Sequence, residues 1–515
     1  MSVEAAEPAR SSSSLRANSL AEGVLILFAL TIVQRMVGFV RGVLFCRYLD
    51  AEQLGRWDLS LSFLMLAAPV AVLGLPACFG RYVEAYRLSG QLRTFLRRTS
   101  LAGIVPALVC CALTAAFAAD VADLLFGTRD AAALVHAMSA GLTAFITFNY
   151  LTCLFTALRS SRIVSYMQFS NSLLFAGVSL ALFGCGYVRA EAAVAAFGIA
   201  CLASSLFAVG WLVALWRELP PTEASLEHRS LWSRLMPFAF WIWITNWLTN
   251  LFEIADRYLI VHYGGLSSHD ALALVGQYHS ARVVPFLMIG LADMLATLLT
   301  PHLAGDWEAG RREAVAARLR FVVKLFGLAF QTGAIVLLLA APLFFQTALE
   351  DKFGFGEAIF PWTLACALWT GLSMVSQNWL WCAERTRLVC VALFVGLSVS
   401  VGLNLLLLPK FGLQGVVAAS AVAKLAALGA IWTSCRLLGM RIDNGLLVAA
   451  VLPGMLLVGP WTALTATMIA ASGRLRQTAL FTDDEQRRLR IAATAFGARF
   501  RPWIERFGSR PAASR

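Results

Sequence analysis

Thr99-Ser-Leu-Ala-Gly-Ile-Val-Pro-Ala-Leu-Val-Cys-Cys-Ala-Leu-Thr-Ala-Ala-Phe-Ala-Ala119 carries no charge, and it sits between Arg97-Arg98 on one side and Asp120 on the other. As a helix rising ~1.5 Å per residue, a run of this length crosses a hydrocarbon core of ~30 Å. A membrane β-strand would alternate apolar and polar residues over about ten positions. This run is apolar all round, so it reads as a membrane-spanning helix. The pattern recurs along the chain, and spans are placed at 20–44, 57–80, 99–119, 131–157, 165–185, 191–215, 234–261, 275–300, 321–346, 357–381, 388–408 and 413–434. The fold class is therefore an all-α integral membrane protein of 12–14 transmembrane helices, with almost nothing folded outside the bilayer.

Composition agrees. Of 515 residues, 59% are apolar and 14% charged, whereas a soluble chain is about a quarter charged. The net charge of +12 is placed so as to set topology. Arg81, Arg87, Arg93, Arg97 and Arg98 share one loop, and every second loop after it is basic, through Arg436 and Arg441. The intervening loops are neutral or acidic, as at Asp120, Asp123 and Asp130 or at Glu350 and Asp351. This is the positive-inside pattern, with the N-terminus cytoplasmic and the protein multi-pass in the cytoplasmic (inner) membrane. A nucleic-acid partner is excluded on the same ground. The eleven cysteines lie mostly inside apolar runs without metal-ligand spacing, and they read as small buried hydrophobes. The first apolar stretch lacks a small-residue cleavage site, so it reads as a retained helix.

The longest polar connection, Arg217–Arg234 with Pro220-Pro221, divides twelve spans into six and six. The two sixes look related. Arg47-Tyr48 and Leu54-Gly55-Arg56-Trp57 find counterparts in His262-Tyr263 and Val275-Gly276-Gln277-Tyr278, offset by about 215 to 221 residues, and Ala192–Ala196 in Gly415–Ala419 at a similar offset. Repeats with a site at their interface mark transporters. The expected organisation is a tail 1–17, two six-helix bundles at 18–217 and 234–440 around a central cavity with a linker 218–233, and a terminal region 441–515. Within that region Leu446–Ala471 is long enough for another span, but Pro453-Gly454 and Gly459-Pro460 interrupt it. The tail beyond carries ten arginines against four acids, which positive-inside would keep cytoplasmic. A bent hairpin or an amphipathic segment at Leu489–Ile504 would resolve that conflict.

Function shows where charge enters the membrane, because an arginine at mid-helix costs about 2.5–3.5 kcal/mol on insertion scales unless it faces water or a partner. In the first span Gln34, Gly38 and Arg41 share one face, with Arg35 about 100° round. In the seventh, Asn246, Asn250, Glu253 and Arg257 form one polar stripe, and Asp256 is placed to neutralise Arg257 or Arg41. Asp293 stands alone in the eighth. No nucleophile–base pair, metal cluster or phosphate-cradling loop is present, so neither catalysis, a cofactor nor a metal is expected.

Asn404-Leu-Leu-Leu-Leu-Pro409-Lys-Phe-Gly412-Leu-Gln-Gly415-Val-Val-Ala-Ala resembles the LNxxLIPxYGxxGAAxA signature of bacterial polysaccharide (Wzx-type) flippases, within the multidrug/oligosaccharidyl-lipid/polysaccharide exporter superfamily. Asp256-Arg257 followed by Val275-Gly276-Gln-Tyr278 is similar to that family's DR … vGxY stretch. Gln34-Arg35-Met-Val-Gly38-Phe39-Val-Arg41 resembles the SRxLGFxR of lipid II flippases, and Leu75-Pro76 with Arg81 resembles their LP…RR, with one arginine in place of two. The resemblance covers roughly residues 18–440. It implies a MATE-like fold and a flippase of polyprenyl-diphosphate-linked oligosaccharide for cell-surface polysaccharide, working by alternating access. It also implies that Arg35, Arg41 and Arg81, with Gln34, meet the diphosphate.

Coupling to a proton or sodium ion through Glu253 or Asp256 is expected, and the spacing does not select the ion. Other expected partners are membrane lipids and polysaccharide polymerase or assembly proteins. The competing readings are a cation-coupled multidrug exporter of the same superfamily, whose cavity would be acidic where this first helix is basic, and a non-transporting scaffold of a polysaccharide assembly complex.

Overall fold

A computed structural model of the chain describes residues 20–218, 227–472, 480–482 and 485–487. The tail 1–17, Pro220-Pro221 and the stretch Leu489–Ile504 lie outside the described residues. Those described form helices and no strand. In order they are α1 Leu20–Tyr48, α2 Ala51–Ala71, α3 Phe79–Leu88, α4 Leu92–Ala116, α5 Ala118–Phe126, α6 Ala132–Ala157, α7 Ser161–Gly184 and α8 Ala190–Glu218. There follow α9 His228–Tyr263, α10 Ser268–Glu308, α11 Arg312–Leu343, α12 Gly354–Ser376, α13 Asn378–Cys382, α14 Thr386–Leu437, α15 Asn444–Val451 and α16 Pro460–Ser472.

Among the described residues eight helices are long and apolar enough to cross a bilayer, or nine if α2 and α3 are one bent span. Two features bring that count closer to the twelve spans of the sequence pattern. α14 runs through two of the expected spans and breaks at Gly412, whose φ of 56° and ψ of −136° are not helical, just after Pro409. In α9 the polar residues of its stripe dilute an otherwise apolar length. On α4, Leu101, Ile104, Val105, Leu108 and Leu113 are each at least half exposed. A soluble protein rarely presents so continuous an apolar face, but lipid accepts it. The chain is an all-α, multi-pass membrane protein.

Turn chemistry sets the helix ends. Asp50 caps α2 by accepting from the Gln53 amide at 2.7 Å, as a short side chain at that position should. Between α2 and α3, Gly74 adopts a φ of +68° and lies so close to α9 that a Cβ there would meet the Trp243 Cβ at 2.9 Å. The chain bends by 64° at this break.

Helices α2 and α10 cross at two glycines. A Cβ on Gly55 would lie 1.9 Å from the Leu272 carbonyl oxygen, and one on Gly276 would lie 1.9 Å from that of Ala51. These contacts are reciprocal, and the paired positions share the 221-residue separation that also relates Asp58 to His279, bonded at 2.8 Å. Mutual contact between equivalent positions marks a local two-fold. The Leu54–Trp57 and Val275–Tyr278 motifs thus meet each other at this crossing.

The terminal region is a hairpin. Leu480 donates its amide to the Ala470 carbonyl at 2.9 Å, while a Cβ on Gly445 would strike the Leu480 carbonyl at 2.1 Å. Both ends of the segment 445–470 therefore stand together. Its deep turn includes Gly459, at φ +140°, and Leu456 and Ala463 reach the main core. Each arm of about a dozen residues extends ~18 Å, short of a full crossing. The Trp369 indole and the Gln331 amide satisfy the Ala450 and Leu452 carbonyls at 2.8 and 3.1 Å where the helix is interrupted. Irregular backbone at membrane depth needs such protein partners.

Candidate functional site

A cavity of about 670 Å³ lies between α1, α2 and α7 on one side and α9 and α10 on the other. The α1 wall presents Gln34, Arg35, Gly38 and Arg41, three of them on one helical face and Arg35 beside it. Arg35 leans against α10, where the hydrogen on Gly290 makes room: a Cβ there would meet its guanidinium at 2.9 Å. Its nearest acid is Asp293, at 3.6 Å. Arg41 lies over the Phe175 ring at 4.0 Å and has no carboxylate within salt-bridge distance among the described residues.

The opposite wall is charged and internally matched. Arg257 binds Asp58 of α2 and the Glu253 carbonyl through short hydrogen bonds, and Asp58 also meets His279 Nδ1 at 2.8 Å. Glu253 takes Arg282 on one oxygen and Lys424 of α14 on the other, each at 2.5 Å. Asn250 donates to the Asn246 carbonyl at 2.8 Å and faces the cavity. Asn246, one turn away, does not line it.

Two expected positions are corrected. Asp256 neutralises neither Arg257 nor Arg41. One residue along a helix is a rotation of about 100°, which turns Asp256 away from the cavity toward α10 and α14. There it accepts from Tyr278 at 3.2 Å and from Ser400 and Asn404 at 3.0 Å, and from Ser420 through a short bond. No cation lies within salt-bridge distance of it among the described residues, and the buried Asn404 Oδ1 beside it has no hydrogen-bond partner. Arg81 does not line the cavity. The bend at Gly74 carries it onto α3, where its guanidinium stacks 4.9 Å from the Phe238 ring.

Sequence reasoning missed Asp58, His279, Arg282 and Lys424. The signal was available, since each is a charged or titratable group within a span. Asp58 and His279 sit near span starts, where a charge looks interfacial, and Lys424 is masked by a run of small residues.

A second, apolar pocket of about 470 Å³ opens between α1, α10, α11 and α12, and it shares Phe39 and Leu287 with the charged cavity.

A sequence model of the family described as polysaccharide biosynthesis protein matches residues 20–303, more than half of the chain. The chain belongs to this family. No curated protein matches it in sequence. In fold, this member of the polysaccharide biosynthesis family is similar to the lipid II flippase MurJ in an inward closed conformation, with a TM-score of 0.66 at 13% identity over 93% of this chain and 100% of that one. It is also similar to an inward-facing MATE multidrug resistance transporter of the MOP superfamily, with a TM-score of 0.56 at 13% identity over 80% and 97% of the two chains. A third neighbour is a MOP superfamily transporter from Pyrococcus furiosus described as having a binding pocket of reverse polarity, with a TM-score of 0.57 at 13% identity over 81% and 95%. At such identities the likeness is one of fold. By their descriptions these three neighbours are a flippase and two transporters.

Proposed function

We propose that the protein flips a polyprenyl-diphosphate-linked oligosaccharide across the cytoplasmic membrane for cell-surface polysaccharide synthesis. The movement is alternating access between the halves 18–217 and 234–440, with the N-terminus cytoplasmic. The observation that carries this reading is Arg41, a cavity-facing guanidinium held over Phe175 at 4.0 Å with no acidic partner among the described residues. Charge inside a membrane is costly unless it faces water or a partner, so a cavity-facing arginine without an acid is free to receive a ligand, and a guanidinium fork matches phosphate oxygens. Arg35 can join it by exchanging Asp293 for a phosphate. The apolar pocket that shares Phe39 and Leu287 with the cavity is suited to the polyprenyl chain. A drug-exporting function is disfavoured, because the cavity acids Asp58, Glu253 and Asp293 each already hold a cationic side chain.

Asp256 supports coupling to a proton or a sodium ion. A buried carboxylate surrounded by neutral hydroxyl and amide groups, with the Asn404 Oδ1 unsatisfied, offers oxygens to a small cation.

The test is native mass spectrometry of the purified protein with its co-purifying lipids. The wild type should retain a polyprenyl-diphosphate glycan, and Arg41→Ala should lose it while eluting as the same folded species. Absence of any such lipid from the wild type, or equal retention by Arg41→Ala, would overturn the reading.

A further inference from the structure

Away from the cavity, Lys324 of α11 is 1% exposed and binds two carboxylates. Asp443, at the start of α15, is 2.7 Å away, and Glu485 of the C-terminal segment is 2.9 Å away. Each acid has a second task. Asp443 caps α15 by accepting from the Leu446 amide at 3.0 Å. Glu485 accepts from the Thr482 amide at 2.9 Å, and its own amide points back to the Thr482 hydroxyl at 3.4 Å, a reciprocal capping arrangement. Just before them Leu480 and Phe481 are buried among Ala449, Leu452 and Ala470, and Phe481 stands 6.1 Å from Phe321 of α11. Gly445 lets this segment close down, because a Cβ there would strike both the Leu480 carbonyl and the Lys324 side chain.

We propose that residues 480–482 and 485–487 form a releasable strap that clamps α11 through Lys324, and that its release frees α11 to move. Three features carry this. The grip on Lys324 is shared between two acids, so lifting the strap leaves Lys324 paired with Asp443 and strands no buried charge. Broken buried pairs are otherwise strongly destabilising. What the strap surrenders is one carboxylate contact, the hydrogen bond from the Leu480 amide to the Ala470 carbonyl and the burial of two apolar side chains, a set of contacts confined to its own few residues. Finally, α11 is a wall of the apolar pocket, through Ala329, Phe330, Gly333, Leu337 and Ala340. Ala329 follows Lys324 by little more than one turn, so a clamp at Lys324 sets the position of that wall. That the pocket takes the substrate's lipid chain rests on the function proposed above, whereas the clamp itself does not.

Hydrogen–deuterium exchange of the full-length protein in lipid nanodiscs tests the clamp without any substrate. Glu485→Ala should raise exchange of the amides at 480–482, and of α11 over 329–340, by at least tenfold, with α4 and α6 unchanged. Glu485→Gln, which keeps the shape and loses the charge, should fall between. If Glu485→Ala is lost from the membrane, the Gln variant still carries the comparison. Unchanged exchange at 480–482 would show that Lys324 does not hold the strap, and raised exchange there with α11 unchanged would show that the strap does not clamp α11. Either result would leave the lipid-binding test above unaffected, and failure of that test would not alter this one.

Discussion

The two walls of the cavity carry similar charge and use it in opposite ways. Along α9 the charges are tightly matched: Arg257 with Asp58 of α2, and Glu253 with both Arg282 and Lys424. On α1 the matching is loose or missing, with Arg35 at 3.6 Å from Asp293 and Arg41 resting only on a ring. Matched charge joins helices from different parts of the chain. Unmatched charge is available to something that comes and goes. The contrast makes separable predictions, because breaking a matched pair should remove the protein and breaking an unmatched one should remove its ligand.

The largest effect is expected from Arg257→Met, which strands Asp58 in the interior at a cost of about 3–5 kcal/mol. Membrane-inserted protein should fall sharply in detergent size-exclusion profiles, and the double variant Asp58→Asn with Arg257→Met should recover part of it. An unchanged amount and melting temperature of Arg257→Met would show the pair to be idle.

Next comes Arg41→Ala, with unchanged amount and melting temperature but weaker lipid binding, by about 1.5–3 kcal/mol for one lost charge-assisted bond. Arg41→Lys should restore only part, since an ammonium keeps the charge and loses the fork. Complemented deletion strains, scored for surface polysaccharide against membrane-inserted protein, read the same difference in cells.

Gly55→Ala tests the crossing itself. Its new methyl would overlap the Leu272 carbonyl at 1.9 Å, and forced overpacking costs about 1–3 kcal/mol. The expected result is a lowered melting temperature, with Gly276→Ala giving a similar drop because the contacts are reciprocal. Gly80→Ala, where a Cβ meets nothing within 4 Å, is the matched control.

The smallest effect belongs to the exposed tie between the end of α1 and the α11–α12 connection, where Arg47 meets Glu350 at 2.6 Å. The hydrogen bond from Arg47, with a second from Lys352, holds the Glu350 carboxyl below its ordinary pKa. A carboxylate whose folded pKa is depressed contributes stability above its unfolded value of about 4.3 and loses it as the pH falls through the folded one. Glu350→Gln should therefore flatten a slight acid-side loss of stability and leave neutral-pH melting nearly unchanged.

Much of this was legible from local chemistry. The twelve apolar runs marked the helices because a bilayer demands length and apolarity, and Pro409-Lys-Phe-Gly412 marked the break now seen inside α14. Arg35 and Arg41 stood out because an unpaired arginine in an apolar run has few explanations. Pairing was not legible. Which acid neutralises Arg257 depends on how α2 crosses α9, and Asp58 lies 199 residues away. Asp256 was misassigned because adjacency in sequence was taken for adjacency in space, although one helical step points the two side chains to different neighbours. Arg81 was displaced by a 64° bend at a break where Leu73 and Gly74 are both left-handed and Gly74 packs against α9. The hairpin at 445–470 was one of two solutions to a charge conflict; the return of Leu480 to Gly445 shows the fold-back, and the other, at 489–504, lies outside the described residues.

The glycine crossing has a mechanical consequence. Where two backbones touch without side chains between them, sliding is blocked, so any rocking of α2 against α10 would pivot at Gly55 and Gly276. Gly290, the residue Arg35 leans on, stands fourteen residues farther along α10, an arm of about 21 Å. A rotation of about 10° at the fulcrum swings that point by about 4 Å, more than the length of a hydrogen bond. The contact that stays still thus magnifies a small turn into the making or breaking of the Arg35 wall.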